Sequence, residues 1–178
     1  MKCNSLMLQE LNYAKWSDLV LPEELNSWVD KGFVKQKNCV FFAALFDFYP
    51  NDTCLFDKTG VECFVNSFHI DDYVAERYLD YSCLFCNAIL NKWQQEGNSE
   101  KLNMIVSMDE FGAVIKCHVK RQGESWLSDN LEEYEDAILV TSDIIKQCPL
   151  ETLNSAKSCR SGSTAGKNCC KSRKVQEK

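Results

Sequence analysis

One long amphipathic stripe constrains the fold of this chain more than any other feature of its sequence. Its members are Val74, Tyr78, Tyr81, Phe85, Ala88, Ile89 and Trp93, which follow an i, i+3, i+4 spacing. Asp71 and Asp72 supply an N-cap before the stripe, and Gly97-Asn98 follows its end. The pattern predicts one helix from about Asp71 to about Gln95, whose apolar face packs across a sheet.

Runs rich in Val, Phe and Leu predict the strands of that sheet. The predicted strands are Cys39 to Tyr49, Cys54 to Asp57, Val61 to Asn66, Leu102 to Ser107, Ala113 to Val119 and Ala137 to Thr141. Two hairpin turns are expected, at Lys58-Thr59-Gly60 and at Met108 to Gly112.

A shorter helix is predicted from Leu21 to Gly32, because Pro22 and two acids open it and Leu25 and Trp28 share a face. The order of elements predicts an α+β fold. It is a mostly antiparallel sheet of about five to six strands, packed against one long helix and short N-terminal helices.

The aromatic residues divide the chain into two parts. All 20 of them precede Cys148, and the segment after Leu150 is rich in Ser, Gly, Lys and Cys. Such a segment cannot bury enough apolar surface to offset the entropy lost on ordering. We therefore predict a single globular domain over residues 1–148 and a disordered, basic tail over residues 149–178.

The most apolar run, Cys39 to Phe46, is far shorter than the roughly 20 residues that a membrane span requires. The first residues, up to Leu11, lack the apolar region of a secretory signal. We therefore expect a cytoplasmic protein with no membrane contact. Most of its 11 cysteines lie within apolar patterns, as is typical of buried thiols in a reducing compartment.

Catalytic and metal-binding patterns are weak. Cys83 and Cys86 form a Cys-x-x-Cys pair, but a structural zinc site usually takes four ligands from two such pairs. His69 and His118 are the only histidines, and neither lies in a nucleophile motif. No glycine-rich phosphate loop is present. We expect no cofactor, no metal and no enzymatic activity, and a small cysteine-rich metal-binding or thiol-redox protein is the alternative.

Acidic residues are concentrated late in the domain. Between Gln122 and Ile145 there are seven carboxylates and no Lys or Arg: Glu124, Asp129, Glu132, Glu133, Glu135, Asp136 and Asp143. Residues 1–150 hold 24 acidic and 13 basic residues, a net charge of −11. Such a run is either a solvated face or a surface for a basic partner.

On the second interpretation, carboxylates steer the partner and aromatic rings supply buried area. The predicted partner-binding residues are Trp126, Asp129, Glu132, Glu133, Tyr134, Glu135 and Asp136.

Four stretches resemble bacterial immunity proteins of contact-dependent growth inhibition and other polymorphic toxin systems. They are Asp57 to Asn66, His69 to Tyr73, Gly123 to Leu127 and Leu131 to Val140, within a likeness that spans roughly Trp16 to Asp143. The resemblance implies an inhibitor that binds a basic protein toxin domain, often a nuclease, and blocks its active site or substrate groove. No direct contact with nucleic acid is expected.

Overall fold

The computed structural model describes residues 1–48 and 57–147, and both helices and strands occur in these ranges. The helices in these ranges are α1 (Ser5–Leu11), α2 (Glu23–Lys31), α3 (Lys58–Val65) and α4 (Tyr78–Gln95). The strands are β1 (Lys2–Cys3), β2 (Phe33–Gln36), β3 (Cys39–Phe42), β4 (Ser67–His69), β5 (Leu102–Met108), β6 (Ala113–Val119) and β7 (Ala137–Thr141). Short 3₁₀ helices cover Phe46–Phe48, Ile70–Asp72 and Leu131–Glu133.

Five strands form one antiparallel sheet in the order β1-β7-β5-β6-β4, and β2 and β3 form a separate hairpin. Helix α4 packs against β5 and β6. The predicted α+β fold is therefore confirmed, as are the hairpin of β5 and β6, strand β7 and the C-terminal end of the long helix.

The two faces of the sheet have different roles. Met104 of β5 and Ile115 of β6 are fully buried in the main core together with Phe85 of α4. Because side chains alternate across a strand, Lys116 and His118 lie on the opposite face, which we call the outer face. The connection between β6 and β7 crosses this outer face.

Helix α2 forms where it was predicted. It begins after Pro22 with acids in its first turn and ends at Gly32, whose φ of +63° is readily adopted by glycine. Leu25 and Trp28 are buried, and the Trp28 ring meets the Phe68 ring edge-on at a centroid distance of 4.9 Å.

The hairpin predicted between Cys54 and Asn66 is wrong from Asp57 onward, because Lys58–Val65 is helix α3. The Asp57 side chain caps it by accepting a hydrogen bond from the Gly60 amide at 2.7 Å. The segment is rich in Val and Phe, which favoured a strand, but its Glu62 is buried by polar partners that lie far away in the sequence. The first half of that hairpin, up to Phe56, falls outside the described residues.

The long helix begins at Tyr78, and the predicted start at Asp71 is wrong. The Asp71 carboxylate accepts a hydrogen bond from the Ala113 amide at 3.2 Å, so it is engaged by the turn between β5 and β6. Arg77, immediately before α4, has a φ of +60°, which is incompatible with a continuous right-handed helix.

The strand predicted from Cys39 to Tyr49 ends at Phe42 and is followed by the 3₁₀ helix. Tyr49 and the predicted tail, residues 149–178, fall outside the described residues. Strands β1, β2 and β4 were not predicted.

Helix α3 joins the hairpin to the large sheet through two buried polar side chains. The fully buried Glu62 carboxylate accepts hydrogen bonds from the amides of Val40 in β3 and Val119 in β6, at 2.7 and 2.8 Å. Arg121 neutralises its charge through two hydrogen bonds of 2.6 and 2.8 Å.

Asn66, one turn later, also forms hydrogen bonds with both the hairpin and the large sheet. It accepts from the Phe42 amide at 2.8 Å and donates to the carbonyls of Val40 and Cys117, at 2.8 and 3.1 Å. Backbone groups that no strand pairs are thus satisfied by a side chain of α3 and by that of its C-cap residue.

Replacing Glu62 with Leu is expected to lower the free energy of unfolding by about 3–5 kcal/mol, because Arg121 loses its buried partner and two amides lose their acceptor. Urea denaturation measures this value. The matched Glu10→Leu variant alters an exposed carboxylate of α1 and should stay within about 0.5 kcal/mol of the wild type. Equal effects of the two substitutions would contradict the assigned role of Glu62.

Candidate functional site

The connection from Arg121 to Asp136, which we call the acidic connection, is attached to α3 at its start. Arg121 bonds to Glu62, and the Glu124 carboxylate accepts from the amide and hydroxyl of Thr59 at 3.0 and 2.8 Å. Partial burial raises the pKa of Glu124, but these Thr59 donors and the charges of Arg121 and Lys58 outweigh it and lower the pKa.

Asn4 fixes the end of the acidic connection. Its buried side chain donates to the carbonyls of Asp136 and Leu131 at 2.7 and 3.4 Å, and accepts from the Ile138 amide at 3.0 Å. The Glu132 carboxylate accepts from the amide and hydroxyl of Ser5 at 2.9 and 3.0 Å. The chain is therefore held at both ends, and its exposed side chains project from a fixed backbone.

The predicted partner-binding residues divide into two groups. Asp129, Glu133 and Glu135 are exposed and form no ion pair with another described residue, and Glu133 accepts one hydrogen bond, from the exposed Asn130 amide at 3.2 Å. In the other group, Glu132 bonds to Ser5, and Asp136 accepts from the Ser107 hydroxyl at 2.9 Å.

The two predicted aromatic residues also have partners within the chain. The Tyr134 hydroxyl accepts from the Ser128 amide at 2.9 Å. The Trp126 ring is 38% exposed and lies 5.9 Å from the Lys116 ammonium group on the outer face. Trp126 and Asp136 line two different concavities.

Asp136 lies near two other carboxylates that the sequence did not associate with it. Asp71, Asp109 and Asp136 line one concavity of about 200 Å³ together with the ring of Phe111, which is 78% exposed. Phe111 was a missed candidate, and its place at the tip of a predicted hairpin turn was the available signal, since such a tip has little to pack against.

Gly112 permits the close approach of Asp71 to this turn. A Cβ atom on Gly112 would lie 2.1 Å from Asp71 Oδ1, so any larger residue there would displace the carboxylate. Asp109 organises the turn itself by accepting from the amides of Phe111 and Gly112 at 2.8 and 3.0 Å. The acidic surface around Phe111 thus depends on a glycine.

Cys83 and Cys86 are completely buried in the core on α4. Burial, with a smaller contribution from the Asp80 charge, raises the pKa of the Cys83 thiol to about 12, and burial raises that of Cys86 well above its ordinary value. Thiols in this state are poor nucleophiles and poor metal ligands. In residues 1–48 and 57–147, no cluster of three or more His, Cys, Asp or Glu side chains has the arrangement of a metal site.

His118 is 4% exposed on the outer face, beneath the acidic connection. Its Nδ1 lies 3.0 Å from the Val119 carbonyl oxygen, which only accepts, so Nδ1 carries the proton and Nε2 is an acceptor. Desolvation lowers the pKa of His118, against a smaller opposing effect of the Val119 hydrogen bond and the Glu62 charge. The imidazole is therefore neutral at pH 7.

This geometry defines an α+β protein in which an acidic connection crosses one face of the sheet. The chain belongs to the family described as "Uncharacterized protein PM0498 family", whose model matches residues 2–158. "Uncharacterized protein PM0498" of Pasteurella multocida (strain Pm70) is 30% identical to it over 136 residues, which cover 68% of this chain and 85% of the relative. No solved structure matches the chain. Within the described ranges, none of the helices combines the length and apolar character needed to cross a bilayer.

Cys83 and Cys86 are expected to resist iodoacetamide in the native protein at about pH 8, because they are inaccessible and protonated, and to react fully in denaturant. Mass spectrometry of the tryptic peptide Tyr78–Lys92, which carries both residues, measures this modification. Cys3, which is only half-buried, is an internal reference that should react sooner. Rapid alkylation of the native Tyr78–Lys92 segment would refute the prediction.

His118 should make the protein less stable as the pH falls below 6.5, its ordinary pKa. Below that pH the unfolded chain takes up a proton that the folded protein resists, so the free energy of unfolding decreases. His118→Gln should flatten this dependence between about pH 7 and about pH 5, as followed by urea denaturation. An equally steep pH dependence in His118→Gln would contradict this prediction.

Proposed function

We propose that this protein is a cytoplasmic immunity protein that binds and neutralises a cognate basic toxin domain, such as a nuclease. Its binding surface would be the exposed part of the acidic connection together with the carboxylates around Phe111. It would act by covering the active site or substrate groove of the toxin, without chemistry of its own.

The observation that carries this proposal is that Asp129, Glu133 and Glu135 are exposed on a segment whose two ends are held in place. Their backbone is held by Asn4 and Arg121, while their carboxylates form no ion pair with another described residue. Binding through a preorganised segment costs less conformational entropy than binding through a loop that must first become ordered.

Charge supports the same conclusion. A nuclease presents Lys and Arg to the phosphates of its substrate, and residues 1–150 of this chain carry a net charge of −11. Opposite charges increase the rate of encounter between two proteins and favour complexes in which these surfaces face each other.

An anchor for such a complex is present beside the carboxylates. Asp71, Asp109 and Asp136 lie around the exposed Phe111 ring. A solvent-exposed ring gains the most from burial when a partner covers it, and neighbouring carboxylates orient that partner. Phe111 therefore joins the proposed interface.

The alternative function, metal binding or thiol redox chemistry, would use Cys83 and Cys86. Their burial and raised pKa values do not favour it. The immunity function is accordingly the one we propose.

The experiment pairs this protein with the toxin domain encoded beside its gene. The wild type should protect bacteria that express the toxin and should form a complex with it. Glu133→Lys/Glu135→Lys should slow association by about tenfold or more at low salt, since steering by charge is lost. Surface plasmon resonance measures this rate.

The control is Glu10→Lys/Glu23→Lys, which changes the net charge equally at exposed positions on α1 and α2. Its association rate should remain close to that of the wild type. Absence of both a complex and protection with the wild type would refute the proposed function. Equal losses in the two double variants would show that net charge, and not this surface, determines binding.

A further inference from the structure

A groove of about 400 Å³ lies on the outer face, beneath the acidic connection. Ile105 and Val140 contribute its apolar floor, and Trp126 and Leu131 line it from the acidic connection. We call it the outer-face groove. Its volume falls within the range of ligand pockets, and its lining is both polar and apolar.

Two polar side chains also line the outer-face groove. His118 and Asn103 are opposite each other in the register of β5 and β6, and Asn103 Nδ2 lies 3.5 Å from His118 Nε2. Because His118 Nδ1 is the donor to Val119, Nε2 is left as an acceptor for the Asn103 amide. This pair offers directional polar contacts beside an apolar surface.

Two lysines line one end of the groove. Lys101 and Lys120 flank the last pair of the β5–β6 register, and the Lys120 amide donates to the Lys101 carbonyl at 2.8 Å. Both are exposed, both line the groove, and neither has an ion pair with another described residue.

The other charges of the groove are of both signs. Lys2 and Arg121 also line it, and the Arg121 guanidinium is bonded to Glu62. Glu124, Asp129 and Asp143 also line the groove, but Glu124 is already bonded to Thr59. An anion at this end of the groove would be attracted by both ammonium groups.

We propose that the outer-face groove binds a small organic anion that carries a planar ring. The anionic group lies between Lys101 and Lys120, and the ring packs against Trp126 over the apolar floor. The ring and the anion are both required, because neither the lysines nor the apolar surface alone offers a complete set of contacts. The site uses Lys101, Lys120 and Asn103, none of which belongs to the proposed toxin interface, whereas Asp129 borders both surfaces.

The experiment uses 1-naphthyl phosphate as the probe and follows the full-length protein by NMR. The indole N–H signal of Trp126 and the side-chain amide signals of Asn103 should shift on titration. Inorganic phosphate and 1-naphthol, each one half of the probe, should bind at least about tenfold more weakly. Similar binding of 1-naphthoate would show that a carboxylate serves as well as a phosphate, which also supports the proposal.

Lys101→Gln/Lys120→Gln should weaken binding of 1-naphthyl phosphate by about five- to tenfold, since both charge contacts are lost. Lys15→Gln/Lys31→Gln removes the same net charge at exposed positions that do not line the groove, and its affinity should stay within about twofold of the wild type. Trp126→Leu should weaken binding by about tenfold through loss of ring stacking.

Unchanged affinity in Lys101→Gln/Lys120→Gln, or shifts that do not include Trp126 and Asn103, would overturn the proposal. Binding of poly-L-glutamate without binding of 1-naphthyl phosphate would also overturn it and would assign the two lysines to an acidic protein partner. The Glu133→Lys/Glu135→Lys variant should bind the probe as the wild type does, which separates this site from the toxin interface.

Discussion

The buried carboxylate of Glu62 is the interaction on which the rest of the structure depends. It accepts hydrogen bonds from β3 and β6 at once, and so it joins two sheets that share no strand pairing. Its charge requires a cation, and Arg121 supplies it at the point where the acidic connection begins. One buried ion pair therefore sets both the junction of the sheets and the path of the connection across the outer face.

The carboxylates of this acidic chain serve two different purposes. Glu62, Glu124, Glu132 and Asp71 satisfy backbone amides and fix the fold. Asp129, Glu133 and Glu135 make no ion pair within the described residues and are available to a partner. The structural carboxylates hold the backbone from which the available ones project, and the same connection covers the groove in which Lys101 and Lys120 lie. Net charge alone does not distinguish these groups.

Sequence patterns predicted an element correctly where the signal came from residues that are close together in the sequence. Helix α2, the hairpin of β5 and β6 and the C-terminal part of α4 follow from periodicity and caps, because their apolar faces meet one continuous core. The failures occur where a polar side chain has a distant partner. Val61 to Asn66 resembled a strand because it is rich in Val and Phe, although Glu62 bonds to the distant Val119 from helix α3. Asp71 resembled a helix cap although it bonds to Ala113.

The sequence by itself determined the α+β class, the core helix and the acidic character of the region before β7. Hydrophobic periodicity and charge depend only on residues that are close together in the sequence. Only the tertiary structure decided which carboxylates are exposed, that Phe111 lies beside Asp136, and that Lys101 and Lys120 face one groove. The physical reason is that hydrogen bonds and ion pairs form between groups that are close in space. Glu62 and Val119, or Asn4 and Asp136, are brought together only when the strands pair.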